Sequence, residues 1–406
     1  MISIQKQKVV VIGHSSTLRL GVVRAVGELG CEVSVIVLTS FWPLTKKLKT
    51  KKPFDCYSKY ISQIHYCHAE DGEKLIRILL DKCVDLEQKV ILLPTSDFST
   101  VTIDDNKKCL APFFVFPHIL DSAGSIRQWM DKVEQKKLAQ EKGLDVPAYK
   151  VIDIRDHTYV IPEDIGYPCF TKALVSIEGG KQFFNRCNDQ EALSQTLDAI
   201  SSKTNVRILV EDYKKIETEY AVLGFSNGKD VIFPGIIHLV TQTISHFGVA
   251  MNGEILPVNG FETILNQFKS FVLQMGFVGI FDIDFYYSEN KFYFGEMNLR
   301  FGGSGYAVTK SGVNLPAMLI HHFRGEDISR MKNRIDIRAS YVNERMCEDD
   351  WSEKKITTKE YHRIISSADI CFVRSEDDPE PYKRYRRQHC FDIVKKYLKP
   401  IMKRFL

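Results

Sequence analysis

The chain has 406 residues, 44% of them hydrophobic and 26% charged, with a formal net charge of +4. That length holds two or three domains with sizeable cores, and the composition is that of a globular protein rather than a disordered or fibrous one. So small a net charge gives no argument for nucleic acid, and the absence of a run of about 18 apolar residues excludes a spanning helix. Ten cysteines are scattered without CxxC pairs or zinc spacing, which predicts free thiols in a reducing cytoplasm. The opening MISIQKQKVVVIG has no signal-peptide apolar core.

Lys8–Gly13 reads as a buried parallel-type strand, Leu18–Leu29 as a helix stopped by Gly30, and Glu32–Leu38 as the next strand. This βαβ pattern predicts a Rossmann-like start. The connection Gly13-His14-Ser15-Ser16-Thr17 lacks GxGxxG, which argues against NAD. Its hydroxyls serve either an anion at the helix N-terminus or a plain cap. Lys46, Lys47, Lys49, Lys51 and Lys52 crowd the next stretch, either as a solvated loop or as a contact for an acidic substrate. Glu73–Cys83 is helical, and the strand Val90–Pro94 runs into Thr95-Ser96-Asp97, either ligand-facing or capping a helix. Phe113–Phe116 is the short last strand of this unit.

Ile126–Lys142 reads as one amphipathic helix with Asp131-Lys132 in its first half, ended by Gly143. Tyr167–Lys172 is a strand, and Gly179-Gly180 follows in a turn that allows backbone N–H groups to close over phosphates. After the helix Asp189–Ser201, the strand Val206–Val210 leads into Glu211-Asp212-Tyr213-Lys214, with Glu219 beyond. Tyr220–Phe225 and Asp230–Val240 are strands around the turn Asn227-Gly228. His238, Thr241, Thr243 and His246 are either structural or lining a substrate site. Ile264–Met275 and Asn314–His322 are helices. Phe391, Val394, Leu398, Ile401, Met402 and Phe405 recur at helical spacing among Lys395, Lys396, Lys399, Lys403 and Arg404, with Pro400 as a break. Such a helix either meets an anionic membrane surface or docks on its own domain.

Residues 278–305, VGIFDIDFYYSENKFYFGEMNLRFGGSG, carry the densest chemistry. Two strands rich in aromatic and β-branched residues flank a polar loop, which predicts a hairpin. Alternation puts Asp282 and Asp284 on one face and Phe281, Ile283 and Phe285 on the other. Pairing can bring Asp284, Glu296 and Asn298 onto one surface, a hard-ligand set suited to Mg²⁺ shared with phosphates. Arg300 continues that face, and Gly302, Gly303 and Gly305 let the backbone approach a ligand.

Asp284 followed by Glu296-Met297-Asn298-Leu299-Arg300 resembles the metal-binding segment of the ATP-grasp superfamily, and Asp131-Lys132, Lys172, Gly179-Gly180 and Glu211 stand upstream in that family's order. With Pro94-Thr95-Ser96-Asp97 after a strand, the chain looks most like the carboxylate–amine ligases of the superfamily, of which D-aspartate ligase is one. The resemblance implies an α/β (α+β ATP-grasp) fold. Residues 1–122 would form a Rossmann-like domain, 123–330 the ATP-grasp domain with a lid at about 150–210, and 331–406 a helical C-terminal extension. It also implies ATP and Mg²⁺ (or Mn²⁺) as cofactors and small-molecule carboxylate and amine substrates. Lys132, Lys172, Gly179 and Gly180 would meet phosphates. Glu211 and the backbone of Asp212 and Lys214 would meet the base, and Glu219 the ribose. Asp284, Glu296 and Asn298 would hold metal, with Asp282 in reserve, and Arg300 would stabilise the transferring phosphoryl group. Bicarbonate activation and ATP binding without turnover are the alternatives.

Overall fold

The computed structural model describes residues 7–40, 52–120, 124–155, 158–175, 183–204, 206–245 and 249–390. Among them, β1 (Lys8–His14), β2 (Glu32–Thr39), β3 (Ile61–His68), β4 (Val90–Pro94) and β5 (Phe114–Val115) form a sheet in the order β3-β2-β1-β4-β5. Every pair in it is parallel. Crossover helices such as Thr17–Gly27 and Asp97–Asp105 cover its faces, so unbroken apolar runs such as Val9–Ile12 are buried on both sides.

A short strand β6 (His118–Ile119) then leads to the second sheet: β7 (Tyr149–Asp153), β8 (Cys169–Ala173), β9 (Asn185–Cys187) and β10 (Arg207–Asp212). These pair antiparallel in the order β7-β10-β8-β9. One face packs on the helix Gln190–Ser201 through Leu193, Leu197 and Ile200, and alternation turns Phe170, Lys172 and Glu211 to the other face.

The third sheet contains β11 (Thr218–Asn227), β12 (Val231–Ile232), β13 (Ile236–Gln242), β14 (Ala250–Leu256), β15 (Phe277–Ser288), β16 (Lys291–Asn298), β17 (Ala339–Val342) and β18 (Ile370–Cys371). Its order is β16-β15-β11-β13-β14-β17-β18, with β12 on β11 and β6 on β15. Its core face packs on the helix Glu262–Met275. There Ile264, Leu265, Phe268, Phe271, Val272 and Met275 meet Phe281, Ile283, Phe285 and Phe294. Each such side chain contributes roughly 1.5–3 kcal/mol by leaving water. Gly276 ends the helix in the left-handed conformation, φ 70°, which suits glycine because a side chain there is strained.

Two segments depart from the sequence reading. The helix expected over 126–142 is broken into Ile126–Trp129 and Lys132–Glu141. Asp131 takes an extended conformation between them, and its carboxylate caps the second piece by accepting from the N–H groups of Val133 and Glu134. Residues after 331 carry the helices Glu344–Ser352 and Thr358–Ser366, but they also lay β17 against β14 and β18 beside β17. Buried Arg24 anchors this segment by donating to the Asp378 carboxylate and to the carbonyls of Phe372 and Val373. Glu344 accepts from the N–H groups of Phe372, Val373 and Arg374. Strands of two and four residues are too short to show a hydrophobic period. The helix expected from Phe391 to Phe405 and the lysines from Lys46 to Lys51 lie outside the described residues. All ten cysteines are free. No helix of the described residues is long and apolar enough to cross a membrane.

Candidate nucleotide and metal site

The hairpin of β15 and β16 turns at Glu289-Asn290, both left-handed (φ 53° and 61°), the signature of a two-residue type I′ loop. From the turn, Tyr287 faces Phe292, Tyr286 faces Tyr293 and Phe285 faces Phe294. The register then shifts by one, so that Asp284 faces Glu296 and Asp282 faces Asn298. Gly295 is the extra residue of this bulge, its Cα so close to β15 that a Cβ would stand 2.8 Å from the Asp284 carbonyl oxygen. The bulge decides the site. Without it Glu296 would oppose Ile283 and point into the core with Phe294, because a one-residue slip reverses every side chain beyond it.

The cleft face of this sheet therefore carries Tyr286, Asp284, Asp282, Glu296 and Asn298, with Glu219 opposite Tyr286 on β11. Burial, reinforced by the charges of Asp282, Glu296 and Glu219, pushes the Asp284 carboxyl well above the usual carboxylate range. Burial likewise lifts Asp282 to about 6, against the opposing pull of Arg300. Burial would also raise Glu296, but Lys132, with Lys172 and Arg300 behind it, outweighs burial and holds that carboxyl at about 2. Asn298 donates its amide N–H to Asp284 Oδ2 at 3.4 Å, and its Oδ1 accepts from Arg300; carboxylates gathered on one surface in this way are of the type that could hold a divalent cation. Among the described residues no group of three or more His, Cys, Asp or Glu side chains is placed to hold a metal ion by itself.

Across the cleft stand the lysines. Lys132, the first residue of its helix, places its ammonium 2.7 Å from Glu296 Oε2. One turn on, Lys136 lies 2.9 Å from Glu211 Oε1, and Lys172 from β8 lies 2.7 Å from Glu211 Oε2. Glu211 is 4% exposed. Burial alone would raise its carboxyl, yet Lys172 and Lys136 together hold it at about 2. Burial pushes the Lys136 ammonium below its ordinary value. The Lys136–Glu211 contact lacks the alignment of a hydrogen bond. A buried ammonium with N–H groups left to donate fits the phosphates of a nucleotide.

Several of the expected site residues have partners within the protein. Glu211, expected at a nucleotide base, is clamped between two lysines. The Asp212 N–H, expected at the same base, donates to the Ala148 carbonyl in the sheet. Lys214 reaches Glu289 at 3.0 Å and lies over the Tyr293 ring, which stacks on Tyr286. Glu219 accepts from Gln242. Gly179 and Gly180 lie outside the described residues, as does His246. His238 pairs with Glu254 on the opposite face of the third sheet, behind Tyr220, so it is turned away from the carboxylates. Thr243 donates to Asp350.

Lys136 and Gln135 escaped the sequence reading. Gln135 donates to the carbonyls of Trp129 and Met297 and accepts from the Met297 N–H. It occupies the open edge of β16 as a further strand would, and fixes the lysine helix to the hairpin. The i, i+4 spacing of Lys132 and Lys136 on one helix face was the available signal. At the N-terminal sheet, Ser15, Ser16 N–H and Arg19 all converge on Asp55. The helix N-terminus after β1 is thus supplied with a carboxylate from the chain itself, and the capping account of that loop holds.

Residues 137–315 match the family model for the ATP-grasp domain. Among curated proteins, the formate-dependent phosphoribosylglycinamide formyltransferase of Saccharolobus solfataricus is 25% identical over 210 residues, which are 50% of this chain and 52% of that protein. The chain spans about half the length of the curated relatives it matches. The N5-carboxyaminoimidazole synthetase of Staphylococcus aureus superposes with a TM-score of 0.61 at 14% identity, covering 86% of this chain and 87% of that one. An L-amino acid ligase from Bacillus licheniformis gives 0.62 at 16% identity, covering 83% and 79%. At these identities the likeness is one of fold.

Proposed function

The chain belongs to the ATP-grasp superfamily through residues 137–315, and from that premise we propose that it is an ATP-dependent carboxylate–amine ligase. A substrate carboxylate oxygen attacks the γ-phosphorus of ATP, the bond to the bridging oxygen breaks, and ADP leaves. The resulting acyl phosphate is attacked by an amine nitrogen, which gives up a proton as phosphate departs and an amide remains. What supports this reading is one arrangement: a surface with Lys132, Lys136 and Lys172 faces a hairpin carrying Asp284, Glu296, Asn298 and Arg300.

In this reading the three lysines neutralise phosphate charge, and Glu211 keeps Lys136 and Lys172 charged and in place. Gly179 and Gly180 close over the phosphates. Phe170 and Tyr286, on facing sheets, enclose the base, with the backbone at Lys214 at its edge and Glu219 at the ribose. Asp284, Glu296 and Asn298 would hold Mg²⁺ (or Mn²⁺), which when bound spreads the charge of the transferring phosphoryl group. Arg300 supplies fixed positive charge to that group and to the acyl intermediate.

Bicarbonate as the activated acid is the second reading, supported by the likeness in fold to a biotin carboxylase domain of a thermophilic 2-oxoglutarate carboxylase solved with bicarbonate. The test is a screen of amino acids, dipeptides and nucleotide-linked peptides for release of ADP and phosphate. Release that needs both an acid and an amine supports the ligase. Release with bicarbonate and no added acid supports the second reading, and MgATP binding without release from any pair overturns both. Membrane contact by the basic segment 391–406 is a separate proposal, and full-length protein that stays in solution with anionic vesicles at low salt removes it.

A further inference from the structure

Arg300 leaves β16 at the mouth of the cleft, and its guanidinium has three protein partners. Nη2 donates to Asn298 Oδ1 at 3.3 Å and Nη1 to the Phe301 carbonyl at 3.2 Å. The shortest contact, Nε to Asp97 Oδ1 at 2.6 Å, comes from 203 residues away, at the start of the helix that follows β4 of the N-terminal sheet. A guanidinium has five N–H groups. Three are used, and one on each terminal nitrogen is left for a ligand oxygen. Asp97 itself is firmly held. Thr95 donates its N–H and its hydroxyl to the Ile12 carbonyl, and Ser96 caps the helix Asp97–Asp105 by accepting from the Ser99 N–H. Asp97 is the first residue of that helix, where the dipole favours a carboxylate.

We propose that Asp97 is a positioning residue: it fixes the Arg300 guanidinium so that its remaining N–H groups meet the transferring phosphoryl group. The inference rests on the role assigned to Arg300 above and extends the active site into the N-terminal unit. The pair is not needed to tie the two parts of the chain, because fully buried Arg24 with Asp378 already joins the Thr17–Gly27 helix to the C-terminal segment. Each side chain of the Asp97–Arg300 pair stays about a fifth exposed, 22% and 21%, at the cleft. A carboxylate that only glued two surfaces would have no reason to grip the one arginine on the face of the metal-binding hairpin.

The test compares binding of MgADP with binding of MgADP plus aluminium fluoride, a planar mimic of the phosphoryl group in flight. D97N and D97A should bind MgADP within about twofold of wild type. Their gain from aluminium fluoride should fall by about tenfold to a hundredfold, the size expected for a displaced catalytic group. D97E should recover part of the gain, and D97A should add nothing to R300A. Where D97A does not fold, the isosteric D97N carries the comparison, with its melting temperature as the control. An undiminished gain in D97N, or independent losses in the double variant, overturns the inference. So does a wild-type protein that binds MgADP but gains nothing from the fluoride. Wild type that does not bind MgADP removes the reading on which the inference rests.

Discussion

The two faces of the β15–β16 hairpin are built from alternate residues of the same strands and answer to different physics. The core face presents Ile283, Phe285, Phe294 and Met297 to the helix Glu262–Met275, where any well-packed apolar set of the right volume serves. The cleft face presents Asp284, Glu296 and Asn298, where each atom type matters and the carboxylates raise one another's proton affinity. One face lends stability to the other, which is strained by like charge. A hairpin that interleaves both lets a well-packed core hold a set of repelling carboxylates in register.

Gly295→Val breaks the comparison most completely, because a Cβ at this position would stand 2.8 Å from the Asp284 carbonyl oxygen and the bulge could not persist. Restoring regular pairing should turn Glu296 toward the core, abolish nucleotide-dependent turnover and lower stability by several kcal/mol, because a charge is then buried without its lysine. ADP release and urea unfolding measure both. Glu296→Gln separates the two faces. It should cut turnover by about a thousandfold or more, by analogy with the loss of a central electrostatic group, and leave the melting temperature within a few degrees. Unchanged turnover would take Glu296 out of the metal set.

From the other side, Phe268→Ala should lose about 3–5 kcal/mol in denaturant unfolding through the cavity it leaves. Where folded, the variant should still bind MgADP. Glu211→Gln tests the buried lysine clamp through pH. A carboxyl held at about 2 in the fold, against 4.5 as its ordinary value, contributes stability above about pH 4.5. That contribution is lost as pH falls through 4.5 toward 2. Wild type should therefore lose stability over this window, and E211Q should be less stable at pH 7 but show a flatter acid limb. An equally steep acid limb in E211Q would assign the effect to other carboxyls.

The order of the landmarks, from Lys132 through Lys172 and Glu211 to the Glu296-Met297-Asn298-Leu299-Arg300 run, was legible in the sequence. So were the long elements, since periods of two and 3.6 residues survive in any chain that buries one face. Asp282 and Asp284 could be assigned to one face because alternation along a regular strand depends on nothing beyond the strand. Glu296 could not. It shares parity with Phe292 and Phe294 and reaches the opposite face only because Gly295 bulges, a choice made by pairing across the hairpin. The same holds for Lys136, Gln135, Asp97 and the strands near 340 and 370. Each takes its role from a partner distant in the chain, and sequence patterns record local periodicity, whereas a contact across 162 or 203 residues exists only once the sheets have closed on one another.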